Sequence, residues 1–401
     1  MFLRFLQKHN PGLIDYGIYL LEHGLAEPDT YIVDLDAIEE NAGRLNDLAH
    51  RNRVVLYFMA KQLGRNPEIA RRVLSVSLNE IPDASGGGKN YGFTGLVTVD
   101  FREARILCSA GLPVKHLGHL CQIPRCFTDE ALDMNPEVIT LFSAEKAREL
   151  SEAACRRRKV QDVLLRIYDS GDIFYPGQEG GFPLVTLPET LGTLEKYKNI
   201  RITGVTSFPC FLFREEEGRS LPAPNACTLV RAATLLEERG IRVTQINMPS
   251  CNSLSTLPLA AGLGATHLEP GHSLTGTNPD NLYESEPLKP ALLYMTEISH
   301  QYEGSSFCYG GGYYRRSNMC SALVKTSGGL TETGTIAPDP LAIDYHLRLS
   351  GLFPPGSPVC MSFRTQVFVT RSRVALVEGL SSSAPALHSV WDSGGSLKER
   401  L

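Results

Sequence analysis

No apolar run in this chain of 401 residues approaches the roughly 20 residues needed to cross a bilayer, so a helical membrane span is excluded. Nor does one sign of charge dominate. Lys and Arg number 39 against 44 Asp and Glu, a formal net charge of −5, so nucleic acid finds no basic field to meet and a membrane surface no electrostatic attraction. Solenoid repeats are missing, and so is low complexity beyond Ser381-Ser382-Ser383. The ten cysteines stand singly among apolar neighbours, as in Ile106-Leu107-Cys108 and Val359-Cys360-Met361, which suits reduced thiols and not a disulfide framework. His116, His119, Cys121 and Cys126 come close together in sequence, yet neither Cys-x-x-Cys nor His-x-x-x-His occurs there. On a strand His116 and His119 face opposite sides, and no metal site is expected. The opening Met1-Phe2-Leu3-Arg4-Phe5-Leu6-Gln7-Lys8 is too short and too interrupted for a secretory signal, which makes the cytoplasm the expected address.

What the chain does have is alternation. From Tyr31 to Gly271, short aliphatic or β-branched runs take turns with longer helical patterns, the mark of a parallel α/β architecture. Eight strands are expected, over 54–60, 95–99, 114–119, 137–142, 162–168, 201–206, 242–248 and 265–269. Eight is the number that closes a (β/α)8 barrel. Helix starts are read at Asp36-Ala37-Ile38-Glu39 and Thr186-Leu187-Pro188-Glu189 as capping boxes, and at Asn66-Pro67 as a cap followed by an N1 proline; Gly111 and Gly240 read as stops. After about residue 285 the helical period fades. Runs at 291–298, 359–369 and 373–377, separated by Gly, Pro and Ser, indicate a mainly β domain. The expected division is therefore a barrel over 28–285 and a β domain over 286–401, joined by part of 1–27.

In a closed parallel barrel the reactive groups stand at the C-terminal strand ends. Lys61 closes the first strand, after the apolar run Val54-Val55-Leu56-Tyr57-Phe58-Met59-Ala60, and a desolvated amine there is suited to Schiff-base chemistry. The eighth strand ends in Leu268-Glu269-Pro270-Gly271-His272-Ser273. Gly271 permits close backbone approach, and the amides and hydroxyls that follow form an anion cradle. Ser250, Asn252 and Ser253, after the seventh strand, offer its second half. A Schiff-base lysine beside a phosphate cradle is what pyridoxal 5'-phosphate requires. Arg166 points inward on the fifth strand by alternation. Lys89, after Gly86-Gly87-Gly88, is the rival lysine, but a loop ammonium stays hydrated and charged.

The lead-in Tyr31-Ile32-Val33-Asp34-Leu35-Asp36-Ala37-Ile38-Glu39-Glu40-Asn41, Lys61 at the first strand end and Glu269-Pro270-Gly271 at the eighth together resemble the fold type III pyridoxal-phosphate enzymes, the alanine racemase and ornithine decarboxylase superfamily, and in particular its YhfX-like branch. The resemblance implies a homodimer in which the β domain of one subunit caps the barrel of the other. Glu269 departs from the racemases of this fold, which carry arginine there, and agrees with the decarboxylases. It implies a carboxylate facing the pyridine nitrogen and a stronger electron sink. Gly118-His119-Leu120 is similar to a motif of the small pyridoxal-phosphate homeostasis proteins, which places His119 in the pocket. The second base of a racemase is a tyrosine from the β domain, and Tyr309 and Tyr313 in the Gly-rich segment are the candidates. The expected activity is isomerase or lyase chemistry at the Cα of a small-molecule amino acid or amine, with a non-catalytic pyridoxal-phosphate carrier as the alternative.

Overall fold

The computed structural model describes residues 1–78 and 90–400. The glycine loop before Lys89, and Lys89 itself, lie outside the described residues. Two compact units are present: Ala42–Ala60 with Val73–Gly271, and Met1–Asn41 with Lys61–Arg72 and His272–Leu401.

The first unit is the barrel. Its eight parallel strands are Val55–Met59, Gly92–Val97, Val114–Leu117, Val138–Leu141, Gln161–Tyr168, Ile200–Thr206, Gln245–Asn247 and His267–Leu268. Each pairs with the next, and the ring closes where His267 pairs with Val55 and Leu268 with Leu56. All eight expected strands are therefore found in order. Helices start where polar caps satisfy the first amides: the Asp100 side chain accepts from Glu103 N, and that of Ser143 from Lys146 N. Gly111 and Gly240 adopt φ of +76° and +75°, the left-handed turn that ends a helix. Packing inside is tight enough to require glycine at Gly204, where an added Cβ would lie 1.8 Å from the Gln245 carbonyl oxygen.

The second unit is built on a ten-stranded sheet. The lead-in strand Thr30–Asp34 lies within it, antiparallel to Leu292–Tyr302 on one side and parallel to Arg373–Glu378 on the other. By contacts the lead-in and 272–285 group with this sheet, and periodicity marks a strand but not the sheet it joins. Helices Phe2–His9 and Pro11–Glu22 cover this sheet through Leu3, Leu6, Leu13, Ile14 and Ile18, which pack with Ile32, Leu293, Met295 and Cys360. Gly17 lets the second of them approach closely, since a Cβ there would sit 2.6 Å from Leu293 Cδ2.

Two helix starts differ from expectation. The helix Leu35–Asn52 is capped by Asp34, whose Oδ1 accepts from Ala37 N at 3.2 Å, and Asp36 lies inside its first turn. The Thr186 side chain makes no cap bond, and its hydroxyl donates to Pro183 O instead. At Asn66 the expectation holds: Oδ1 accepts from Glu68 N at 2.9 Å and Ile69 N at 3.2 Å.

Candidate functional site

Glu269 ends the eighth barrel strand, buried, with a dense set of donors. Its Oε1 lies 2.6 Å from His116 Nδ1 and 2.6 Å from Asn247 Nδ2, and its Oε2 lies 3.2 Å from His119 Nε2. His116 belongs to the third strand and Asn247 to the seventh. A contact from the third strand to the eighth crosses the barrel interior, so these side chains point inward. Thr140, on the fourth strand, meets His116 Nε2 through Oγ1 at 2.6 Å. Burial alone would raise the Glu269 carboxyl. The charges of His119 and His116, with the His116 and Asn247 hydrogen bonds, outweigh it and hold the group at about 2.

The opposite-face expectation for His116 and His119 is corrected here. The strand stops at Leu117, and Gly118 turns the chain with φ of +74°, so both rings reach the same carboxylate with centroids 5.2 Å apart. Their ligating atoms and those of Glu269 lie within 4.8 Å of one another, near enough to share a cation. Contacts of 2.6 Å between ring nitrogen and carboxylate oxygen are those of a shared proton, however, and Zn–N and Zn–O bonds run near 2.0–2.2 Å. Cys121 and Cys126 are exposed and outside this group.

The seventh-strand loop is held from within. Asn252 Oδ1 accepts from Glu269 N at 2.8 Å and its Nδ2 donates to Met248 O, while Ser250 Oγ donates to Phe211 O. Ser253 Oγ sits 3.0 Å from Ser255 Oγ. Ser250 and Cys251 both have positive φ, 90° and 47°. The side chains of Ser250 and Asn252 shape the loop, and its amides are what it offers to an anion. Arg166 is buried at the end of the fifth strand, and Gly271 is buried beyond Glu269.

In the β unit, Lys61 lies half-buried in the short helical turn Ala60–Leu63, which directly follows the first barrel strand in sequence. Desolvation and the charges of Arg364, Lys61 and Arg316 keep His272 well below its usual pKa, so it is a neutral imidazole near neutral pH. Ser273 is buried, its hydroxyl accepting from Asn278 Nδ2 at 3.3 Å. The turn closes with Thr277 N donating to His272 O at 3.1 Å. Tyr309, 41% exposed, ends the strand Ser305–Tyr309, and Tyr313 is half-buried. The glycines between them are fixed by Asp344, whose Oδ2 accepts from Gly311 N at 3.0 Å and Tyr313 N at 3.2 Å. Asp29 fills the space a Cβ on Gly311 would need. Burial pushes its carboxyl up to about 6, against the hydrogen bonds from Ser372 and Tyr294.

Thr140 and Asn247 are not singled out by the sequence, and His116 is weighed there only as a metal ligand. The signal was available in the two-residue alternation of each strand, which sets Asn247 and Glu269 inward, but only once strand register is known.

An alanine racemase N-terminal domain model matches residues 33–279, and a YhfX-like C-terminal domain model matches 293–387. The chain is 43% identical over 397 residues to the protein YhfX of Escherichia coli (strain K12), covering 98% of this chain and 99% of that one. Among solved structures it is similar to D-threonine aldolase from Filomicrobium marinum, at a TM-score of 0.67 and 16% identity over 92% of this chain and 94% of the other. D-threo-3-hydroxyaspartate dehydratase from Delftia sp. HT23 gives 0.63 and 16%, over 93% and 97%. The alanine racemase of Clostridium difficile 630 gives 0.60 and 14%, over 90% and 98%. At such identities the structural likeness speaks for the fold alone.

Proposed function

The chain belongs to the family with an alanine racemase N-terminal domain followed by a YhfX-like C-terminal domain, and from that membership we propose that it is a pyridoxal 5'-phosphate-dependent enzyme acting through Lys61 at the Cα of an amino acid or related amine. The observation that carries the reading is Glu269, a buried carboxylate held ionised by His116, His119 and Asn247 at the end of the eighth barrel strand. An anion built that deliberately serves a cationic partner, and a protonated pyridine nitrogen is one.

When bound, the group supplies an electron sink that stabilises negative charge at Cα. Lys61 would hold the group through its side-chain amine and would take or return the Cα proton. Glu269 would hold a proton on the ring nitrogen of the group, which would favour lyase and decarboxylase chemistry alongside isomerisation. The amides at Gly271, His272 and Ser273, and those at Ser250, Asn252 and Ser253, would be the donors to its phosphate. A neutral His272 adds no repulsion to the neighbouring cations. His119 and Arg166 line the site. The working form is a homodimer, in which Tyr309 and Tyr313 from the second copy shield the reacting carbon from water and supply a donor on the other face.

Borohydride reduction of the purified protein followed by peptide mapping places the cofactor label on Lys61. Label on Lys89, or no label, overturns the assignment.

A further inference from the structure

In the β unit the turn Gly310-Gly311-Gly312 is buried, although Tyr309 before it is exposed and Tyr313 after it is half-buried. Two carboxylates press on it. An added Cβ would lie 2.6 Å from Asp344 Oδ1 at Gly310 and 1.9 Å from Asp29 Oδ2 at Gly311, and at Gly312 it would lie 2.4 Å from Tyr294 Cε2 and 3.0 Å from Ser372 Oγ. One polar cluster therefore requires glycine at all three positions. The same cluster holds the backbone: Asp344 Oδ2 accepts from Gly311 N and Tyr313 N, Arg371 Nη2 donates to Gly310 O at 3.1 Å, and the Tyr31 hydroxyl donates to Gly312 O at 2.5 Å. Tyr294 and Ser372, which crowd Gly312, both donate to Asp29 Oδ1.

Charge is poorly balanced here. Around Asp29 stand Tyr294 from the strand Leu292–Tyr302, Tyr31 from Thr30–Asp34, Asp344, and Arg371 beside Ser372. Arg373 gives its backbone amide to Asp29 O at 3.1 Å, but its Nε lies 3.7 Å from Glu27. Arg371 is exposed and its Nη2 also serves the Asp344 carbonyl, while Asp344 Oδ1 is buried with no partner among the described residues. His346 packs on His300 and Tyr309, with centroids 4.9 Å and 6.1 Å away. Burial pushes the Asp29 carboxyl up to about 6, with Asp344 adding to it and Ser372, Tyr294 and Arg371 opposing.

We propose that Asp29 is a proton-dependent latch on this turn, closed while its carboxyl carries a proton and loosened when the proton leaves. A neutral acid fits beside Gly311 and Asp344. Once the proton passes to solvent, two carboxylates stand at one half-buried turn, and moving the turn away relieves both the repulsion and the lost hydration. The Tyr309–Tyr313 segment is thus ordered in mild acid and looser above it. What those tyrosines serve rests on the pyridoxal-phosphate reading; the latch rests on the β unit alone.

The test is hydrogen exchange of the purified full chain, read by mass spectrometry on peptides spanning 309–313 and corrected for the intrinsic pH dependence of amide exchange. Protection of the turn is expected to fall about tenfold from about pH 5 to about pH 7.5, the linkage of a group near 6 in the closed turn and near its usual 3.8 in the open one. It should also lie below that of the strand Leu292–Tyr302 throughout, since the turn opens by itself. Asp29→Asn, a permanently neutral side chain, abolishes the fall. Ser372→Ala removes a donor to the carboxylate and moves the fall to higher pH. A pH-independent turn in the wild type overturns the proposal, as does a turn that exchanges at the rate of the strand. So does a wild-type fall in Asp29→Asn, which would assign it to His346, and if that variant does not fold, an unmoved midpoint in Ser372→Ala decides in the same sense. Lys61 labelling is read separately. Missing label with the pH-dependent turn intact refutes the cofactor and spares the latch, whereas label with a pH-independent turn does the reverse.

Discussion

His116 presents Nδ1 to Glu269 Oε1 at 2.6 Å and Nε2 to Thr140 Oγ1 at the same distance, so both ring nitrogens are engaged and the ring cannot flip without breaking both bonds. A chain of hydrogen bonds thus runs from the fourth strand through the third to the eighth. It orients the carboxylate and ties its charge to the barrel wall.

Glu269→Gln removes the anion and leaves two histidines facing an amide. The variant loses about 3 kcal/mol at pH 7, the scale of breaking a buried charge pair. Because the native carboxyl titrates at about 2, below the value near 4.5 of the unfolded chain, its stabilisation is present above pH 4.5 and lost as pH falls toward 2. Urea melts across that acid range should therefore show wild type and variant converging. Parallel curves would remove the charge from the account. Glu269→Arg keeps the Lys61 label and changes the absorbance response to substrate.

Asp29 titrates in the opposite sense. Its carboxyl sits at about 6 against about 4 when unfolded, so its contribution is fully present below pH 4 and is lost as pH rises through 6. Asp29→Asn flattens the decline between pH 4 and 7 by about 1–3 kcal/mol, and melting temperatures over that range measure it. A variant that retains the wild-type slope assigns the decline elsewhere.

The strand ends that carry Lys61 and Glu269 were legible in sequence. Lys61 and Glu269 each close an apolar run, and the eight runs come in the order the barrel uses. The ring of partners around Glu269 was hidden for a different reason: it is assembled by register between strands distant in sequence, and a single glycine, Gly118, decides where the His119 ring points. The lead-in strand was hidden likewise, because Tyr31, Ile32 and Val33 are buried on both faces and fit either sheet equally well.

Gly204→Ala places a methyl carbon 1.8 Å from the Gln245 carbonyl oxygen, where only backbone can yield. A loss of about 3 kcal/mol or failure to fold is expected, whereas Gly192→Ala, inside the helix Leu187–Leu194 with nothing within 4 Å of its Cβ, is expected to gain about 0.5–1 kcal/mol. Chemical denaturation of both variants measures the difference, and equal losses would refute the packing argument.

Mixing a Lys61→Ala chain with a Tyr309→Phe/Tyr313→Phe chain recovers part of the activity if subunits exchange residues, up to about one quarter in a random heterodimer pool in which one restored site per mixed dimer operates. Silence in heterodimers isolated by dual tags would place each site within one copy.

The strand Thr30–Asp34 has one hydrogen-bonded neighbour that begins at Leu292 and another that begins at Arg373. During synthesis it emerges early and waits through more than half the chain before either edge can pair. The barrel strands, each paired with the next, can zip as they appear. Lys61 shares its unit with that waiting strand. The residue that would carry the chemistry therefore gains its folded surroundings only when translation is nearly finished.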